Sequence, residues 1–265
     1  MNDGHPCANC GHEITQNFCP NCGQKKFRRI DGKYIKEEIQ YTILHTNKGF
    51  FYTIKNLIKN PGRTTKDYLD GNRVNHYKPI LLAFVLSGIT TFISYKFINL
   101  GEVLNEFFTE RMDGKQSSLD INNLNTFLAN YISMIMMSMI PMASIISYLV
   151  FRKQGHNYFE HVVINAFLYC FWALCTALVL YPVMFIMKSA DWVVYLSFAS
   201  LPLFVPFIVW FYKGIYQHLS LGKVIFKVLL FSIGGFIGYL LISISIGVLY
   251  AIYLVATKSS EVMPA

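Results

Sequence analysis

Long apolar stretches dominate the last two thirds of this chain. Runs long enough to cross a bilayer as a helix, at least about 18 residues, occupy residues 80–98, 124–151, 162–187, 192–212 and 224–255. The last run is too short to cross twice, so it predicts one long helix. A composition of 54% hydrophobic and 14% charged residues agrees with a membrane protein. The sequence therefore predicts an all-α polytopic membrane protein with five transmembrane helices.

Basic residues predict the orientation of these helices. Residues 1–79 contain 13 lysines and arginines against 7 acidic residues, whereas the connection after the first span is acidic overall. Since basic segments are retained in the cytoplasm, we expect the N-terminus inside and the C-terminus outside. The opening residues are polar, so no cleavable signal peptide is expected and the first span directs insertion. We expect the basic face to attract membrane lipids, and we do not expect nucleic acid as a partner.

Four cysteines near the N-terminus form two Cys-x-x-Cys pairs, Cys7 with Cys10 and Cys19 with Cys22. Each pair places two thiolates on one tight turn, and four sulfurs are the set that a structural Zn²⁺ prefers. Two disulfides, a redox motif or four ordinary thiols are the alternatives, but a segment with so little apolar content needs a crosslink to fold. We predict a cytosolic zinc ribbon over residues 1–26 that holds one Zn²⁺. Four protein ligands leave no open position for catalysis.

Residues 27–79 are interpreted as an amphipathic juxtamembrane helix followed by a polar segment. Apolar residues recur at near-helical spacing as far as Ile58, and this stripe either packs on the cytosolic end of the bundle or lies in the membrane interface. The sequence Asn60-Pro61-Gly62 predicts the end of that helix. Residues 63–79 are then dense in hydrogen-bonding groups.

Two residues of this polar segment are candidates for binding a lipid headgroup. Arg73 can hold a phosphate bidentately, and Tyr77 would sit at the headgroup level just before the first span. In the alternative interpretation Arg73 neutralises Asp67 or Asp70, and Tyr77 is an ordinary interfacial anchor.

Several of these motifs together resemble a known family. They are the two Cys-x-x-Cys-Gly pairs, Phe18-Cys19-Pro20-Asn21-Cys22-Gly23-Gln24, the break at Asn60-Pro61-Gly62, and Tyr68-Leu69-Asp70-Gly71-Asn72-Arg73 with Tyr77 and Pro79. Over roughly residues 7–100 they look like the domain-of-unknown-function 3667 family. The resemblance implies a bacterial multispanning protein with an N-terminal ribbon, hence a location in the bacterial inner membrane, and it implies no established activity. The architecture alone is also similar to Yip1-type membrane proteins.

The spans offer no set of residues for catalysis. Ionisable residues lie near the predicted ends of the spans, whereas a proton relay or a catalytic metal needs them inside. His156 and His161 stand at i and i+5, a spacing that does not share a helical face, so residues 156–161 are interpreted as a loop. Gly234 and Gly238 form a Gly-x-x-x-Gly pattern that favours close packing, either on another span of the chain or in a homodimer.

We therefore expect a noncatalytic integral membrane protein, not an enzyme, with a bundle over residues 80–256 and a short external tail over 257–265. Its ribbon is expected to recruit or position a protein partner at the membrane, because a closed metal site has no other evident use. The alternative is a transporter or binder of a lipid or another apolar small molecule, with Arg73 contacting the headgroup.

Overall fold

A computed structural model describes residues 5–7, 9–23, 46–73, 75–111, 131–187, 189–238 and 240. The chain divides into two compact units, an N-terminal unit Met1–Gly49 and a helical unit Phe50–Ala265. Several predictions fall outside the described residues. They concern the end of the ribbon and the first part of the amphipathic helix (24–45), the external connection with the start of the second span (112–130), and the end of the last span with the tail (241–265).

The described part of the N-terminal unit is built on a short hairpin. Strand β1 (His5–Pro6) pairs antiparallel with β2 (Glu13–Ile14), and His5 lies opposite Ile14. The buried side chains are Cys7, Ile14 and Cys19. So small an apolar core does not stabilise a fold without a crosslink or a metal.

The remaining described elements are helices. In chain order they are α1 (Thr46–Lys59), α2 (Pro61–Leu69), α3 (Pro79–Ile93), α4 (Leu100–Arg111), α5 (Ile132–Ser138), α6 (Ile140–Phe151), α7 (Tyr158–Cys175), α8 (Tyr181–Met187), α9 (Ala190–Ile215) and α10 (Leu221–Gly238). Single π-helical turns continue α3 over Ser94–Ile98 and join α7 to α8 over Thr176–Leu180.

Four helical stretches are long and apolar enough to cross a membrane. They are Pro79–Ile98, Tyr158–Met187, Asp191–Ile215 and Leu221–Gly238. These stretches coincide with the first, third, fourth and fifth apolar runs, so the prediction of a mostly helical chain with several helices long and apolar enough to cross a membrane is confirmed. The described part of the second run forms α5 and α6, which are separated by a turn at Met139. Pro141 lies in the first turn of α6, where its missing N–H is tolerated.

Helix α7 is the centre of the helical unit. It packs against α2, α3 and α6, and nearly all of its side chains from Ile164 to Leu174 are buried. A helix that is apolar on every side is expected in such a position. Helix α9 carries Pro202 and Pro206 without interruption, so these prolines do not break the helix.

Candidate metal centre and juxtamembrane segment

The four N-terminal cysteines converge on one point. Their sulfur atoms all lie within 4.8 Å of one another. The Sγ atoms of Cys7 and Cys22 are 3.6 Å apart, as are those of Cys10 and Cys19. A disulfide would require about 2.05 Å, whereas sulfurs bound at 2.3 Å around a tetrahedral Zn²⁺ lie about 3.8 Å from one another. The arrangement therefore fits a metal ion and does not fit disulfides.

Glycine turns hold each cysteine pair in place. The N–H of Gly11 donates to the carbonyl of Cys7, and the N–H of Gly23 donates to that of Cys19, both at 2.9 Å. Both glycines have φ of +72°, a conformation that side chains with a Cβ rarely adopt. Cys7 and Cys19 are buried, whereas Cys10 and Cys22 lie at the surface.

The Asn60-Pro61-Gly62 motif both ends one helix and starts the next. Helix α1 ends at Lys59, and the Asn60 side chain then accepts a hydrogen bond from the N–H of Arg63, which caps α2. Gly62 has a further role: a Cβ there would lie 2.1 Å from the carbonyl oxygen of Phe211 and 2.7 Å from the Cα of Gly214. The backbones of α2 and α9 therefore touch at this glycine pair.

Arg73 and Tyr77 have different neighbours. Arg73 Nε donates to the carbonyl of Tyr68 at 3.4 Å, and its guanidinium lies 5.5 Å from the centre of the Tyr68 ring. Asp70 is paired with Lys66 instead. Tyr77 packs on α1, where its ring meets the edge of Phe50 at 5.6 Å. Arg73 is exposed and remains available to a ligand. Among the described residues, the Arg73 side chain and Tyr77 have no hydrogen-bond or ring partner in common.

His76 lies between these two candidates and is buried. Its ring contacts Tyr52 at 5.1 Å and Tyr68 at 6.1 Å between centroids. Within the described part of the chain neither ring nitrogen has a hydrogen-bond partner. Burial lowers the pKa of His76, and the nearby Asp67 opposes this effect only in part. Burial thus favours the neutral form of the imidazole. Nothing in the sequence pattern singled out this residue.

A second buried histidine belongs to a polar network centred on Ser147. His161 Nδ1 lies 3.0 Å from Ser147 Oγ, and Asn165 Nδ2 donates to the same oxygen at 2.7 Å. We name this group the Ser147 network. Helix α7 begins at Tyr158, so His161 is helical and fully buried, and the interpretation of residues 156–161 as a loop does not hold for it.

A local signal would have placed His161 correctly. Asn157 Oδ1 accepts from the N–H of Glu160 at 3.0 Å, and Glu160 Oε2 accepts from the N–H of Asn157 at 2.7 Å. This reciprocal pair is a capping box, and the Asn-x-x-Glu spacing before an apolar run marks a helix start in the sequence. With α7 starting there, His161 and Asn165 fall four residues apart on one face.

The glycine pair near the end of the chain packs within the same chain. A Cβ at Gly234 would lie 2.8 Å from Ile146 Cγ2, and one at Gly238 would lie 3.0 Å from Met142 Sδ. Both contacts are to α6. The structure therefore provides an intramolecular partner for the Gly-x-x-x-Gly face of α10.

These features define a class: a helical protein with several helices long and apolar enough to cross a membrane and an N-terminal four-cysteine site that fits a metal ion. Residues 47–91 match the family model described as "Protein of unknown function (DUF3667)", which confirms the expected family resemblance over these residues. The match contains α1, α2, the polar segment and most of α3, and the cysteines lie outside it. No curated protein and no solved structure gives a significant match to the chain. The likeness to Yip1-type proteins and the bacterial origin stay predictions.

Proposed function

We propose that this protein is a noncatalytic integral membrane protein whose cytosolic ribbon binds one structural Zn²⁺ and recruits or positions a protein partner. The convergence of four thiols supports this function best. Four sulfur ligands leave no open coordination position, so the metal would stabilise the ribbon and perform no chemistry. A small metal-stabilised scaffold presents a rigid surface that a protein partner can bind. Phe18 is 54% exposed on this unit and is the candidate contact residue.

We further propose five spans with the N-terminus in the cytoplasm. The loops that follow α6 and α9 lie together, because His218 Nε2 is 2.7 Å from Gln154 Oε1. The contact between Gly62 and Gly214 brings the segment before α3 to the same end. The chain leaves this end along α3, and the loop after α6 lies at the same end. The chain must therefore cross back between the end of α3 and the end of α6. Helices α5 and α6 together extend over about 30 Å, which suffices for that crossing.

Charge supports the cytoplasmic assignment of this end. The described charged residues there include the basic Lys55, Lys59, Arg63, Lys66, Arg73, Lys78, Arg152, Lys153, Lys213 and Lys223, against the acidic Asp67, Asp70 and Glu160. Among the side chains that the structure describes at the other end, the charges are mixed: Lys96, Glu102, Glu106 and Asp191. The excess of lysine and arginine at the first end favours its retention in the cytoplasm. A location in the bacterial inner membrane then follows from the family resemblance.

Cysteine labelling in intact cells tests this topology. With a membrane-impermeant maleimide, Ser117→Cys and Ser259→Cys are expected to react without permeabilisation, whereas Lys153→Cys is expected to react only after it. The reverse pattern would place the N-terminus outside and overturn the cytosolic ribbon.

Affinity purification of the full chain tests recruitment. The test variant carries Cys19→Ser and Cys22→Ser, and the control carries the same change of thiol to hydroxyl in the helical unit, Cys175→Ser. We expect about one zinc per chain, consistent with one four-sulfur site, and the same co-purifying protein in the wild type and the control. Both should be lost from the test variant. A protein partner that stays bound without zinc would contradict the proposal.

Passage or binding of a lipid or another apolar molecule is the alternative. An apolar pocket lies at the end of the bundle opposite the loops that follow α6 and α9, lined by Phe97, Ile98, Val103, Met184, Phe185, Ser189 and Val193. Its volume of about 170 Å³ is below that of typical small-molecule sites, which span roughly 300–1,000 Å³. A lipid retained by all three purified proteins, with no partner that depends on zinc, would favour this alternative.

A further inference from the structure

Helix α1 has two faces that differ in their surroundings. On one face Thr53 and Leu57 are fully buried, and Ile54 packs against the apolar core of the helical unit. On the other face Phe51 is 64% exposed and Ile58 is 46% exposed. The first face accounts for why the helix docks on the bundle. The second face exposes large apolar side chains that such docking does not cover.

Positive charge accompanies the apolar residues on the outward face. Lys55 follows Phe51 by one helical turn and Lys59 adjoins Ile58, and both lysines are exposed. Helix α1 contains three lysines and no acidic residue. Long lysine side chains can lie along apolar neighbours while their ammonium groups reach anionic phosphates. This combination of lysine with phenylalanine and isoleucine is typical of helices that lie in a membrane interface.

The position of α1 brings this face to the level of the headgroups. The N–H of Tyr77 donates to Thr53 Oγ1 at 2.8 Å, and the ring of Tyr77 contacts Phe50. Tyr77 precedes by two residues the start of the first span at Pro79. The middle of α1 is therefore tied to the point at which the chain enters the membrane. Just beyond that point Ile80 and Phe84 expose apolar side chains on α3, as lipid contact requires.

We propose that the outward face of α1, formed by Phe51, Lys55, Ile58 and Lys59, lies in the headgroup region of the cytosolic leaflet and binds anionic phospholipid. The sequence left two alternatives for the apolar stripe of α1, namely packing on the bundle or insertion in the membrane interface. Under this proposal the inward face of α1 packs on the bundle and the outward face inserts in the interface. This inference rests on the bundle lying in a bilayer. It does not rest on recruitment of a partner by the ribbon.

Photocrosslinking of the full chain in lipid nanodiscs tests the inference. Three exposed phenylalanines are replaced one at a time by p-benzoylphenylalanine, which reacts with whatever lies beside it. Phe51 is the test position, Phe84 in the first span is the lipid-facing control, and Phe18 on the N-terminal unit is the control outside the membrane. The nanodiscs contain a mixture of zwitterionic and anionic phospholipid, and mass spectrometry identifies the adducts.

We expect phospholipid adducts at Phe51 and Phe84 and none at Phe18. Adducts at Phe84 without adducts at Phe51 would overturn the inference while the membrane assignment stands. Crosslinks from Phe51 to protein, in its own or another copy, would show that something else covers the face and would also overturn it. A lack of lipid adducts at Phe84 would remove the membrane assignment and this inference with it.

A second measurement tests the role of the lysines. Each basic residue near an anionic surface contributes about 1 kcal/mol, which corresponds to roughly fivefold in local lipid preference. Lys55→Gln combined with Lys59→Gln is therefore expected to lower the ratio of anionic to zwitterionic adducts at Phe51 by roughly 25-fold. Lys96→Gln, at the opposite end of the bundle, should leave that ratio unchanged. An unchanged ratio in the double variant would overturn the selection of anionic lipid.

Discussion

The two units of this protein differ in the interactions that hold their described residues together. In its described residues the N-terminal unit buries Cys7, Ile14 and Cys19 and brings four cysteine sulfurs to one point. The helical unit buries an extended apolar cluster, and residues far apart in the chain, such as Gly62 and Gly214, are in backbone contact. In the described part of one unit, four thiols close together in the chain form a site that could hold a metal ion in place of a large core, whereas contacts between residues far apart in the chain build the other unit. The two units should respond to different perturbations.

Removal of the metal should give the largest effect, and only in the N-terminal unit. Binding of a structural Zn²⁺ contributes on the order of 10 kcal/mol to the folding of small metal domains, and the three side chains buried among residues 5–7 and 9–23 are too few to replace that contribution. We expect a strong chelator to abolish amide protection in residues 9–23, as measured by hydrogen exchange of the full chain. The thermal midpoint of the helical unit should not change. Protection that survives chelation would contradict dependence on a metal.

Alanine at Gly62 should give the largest effect in the helical unit. The added Cβ would meet the carbonyl oxygen of Phe211 at 2.1 Å, and a backbone atom cannot move aside as a flexible side chain can. We expect Gly62→Ala to destabilise the protein by about 3 kcal/mol or more, measured as a fall in the thermal unfolding midpoint.

Gly88→Ala is the matched control for this substitution. Gly88 is helical and a Cβ there would meet nothing within 4 Å. Its replacement should be neutral or stabilising by up to about 1 kcal/mol, because alanine is the better helix former. Equal loss of stability in both variants would mean that α2 and α9 do not touch as described.

The sequence predicted the features that local spacing determines. Two Cys-x-x-Cys pairs within 16 residues, each followed by a glycine, were sufficient to predict the converging thiols. Apolar runs likewise predicted the four stretches that are long and apolar enough to cross a membrane, because length and hydrophobicity decide that property. Spacing also predicted the end of α1 at Asn60.

Contacts between distant parts of the chain were not predictable in this way. Nothing near Gly62 indicates that Gly214 would meet it, and the sequence offered only helix termination as its role. His161 was placed in a loop because i and i+5 spacing was tested without first locating the helix start. The partner that fixes it, Ser147, lies on another helix, and a single sequence does not reveal such pairs.

The Ser147 network should contribute a smaller amount than the glycine contact. Ser147→Ala removes the oxygen that meets both His161 Nδ1 and Asn165 Nδ2 and leaves these buried groups without that partner. Such a loss costs about 1–3 kcal/mol. Ser138→Ala is the control, since Ser138 is exposed and its hydroxyl bonds only within its own turn, to the carbonyl of Ile135. We expect a lower thermal midpoint for Ser147→Ala alone, and equal midpoints would contradict a stabilising network.

The smallest expected effect is a pH dependence that arises from His76. Burial lowers the pKa of this ring below its ordinary value of 6.5 in the folded protein, so below that value the unfolded chain binds the proton more readily. The stabilisation that comes from burying the neutral His76 ring is fully present above pH 6.5 and is lost as the pH falls toward the lowered pKa of the folded state.

The thermal midpoint of the helical unit should therefore fall on acidification, and it should fall less in His76→Gln, which has no titrating ring. His12→Gln, in the N-terminal unit, should keep the wild-type dependence of that midpoint. If His76→Gln instead shows the full wild-type dependence, His76 does not hold its neutral form by burial, and the packing of its ring between Tyr52 and Tyr68 must open to water in the folded protein.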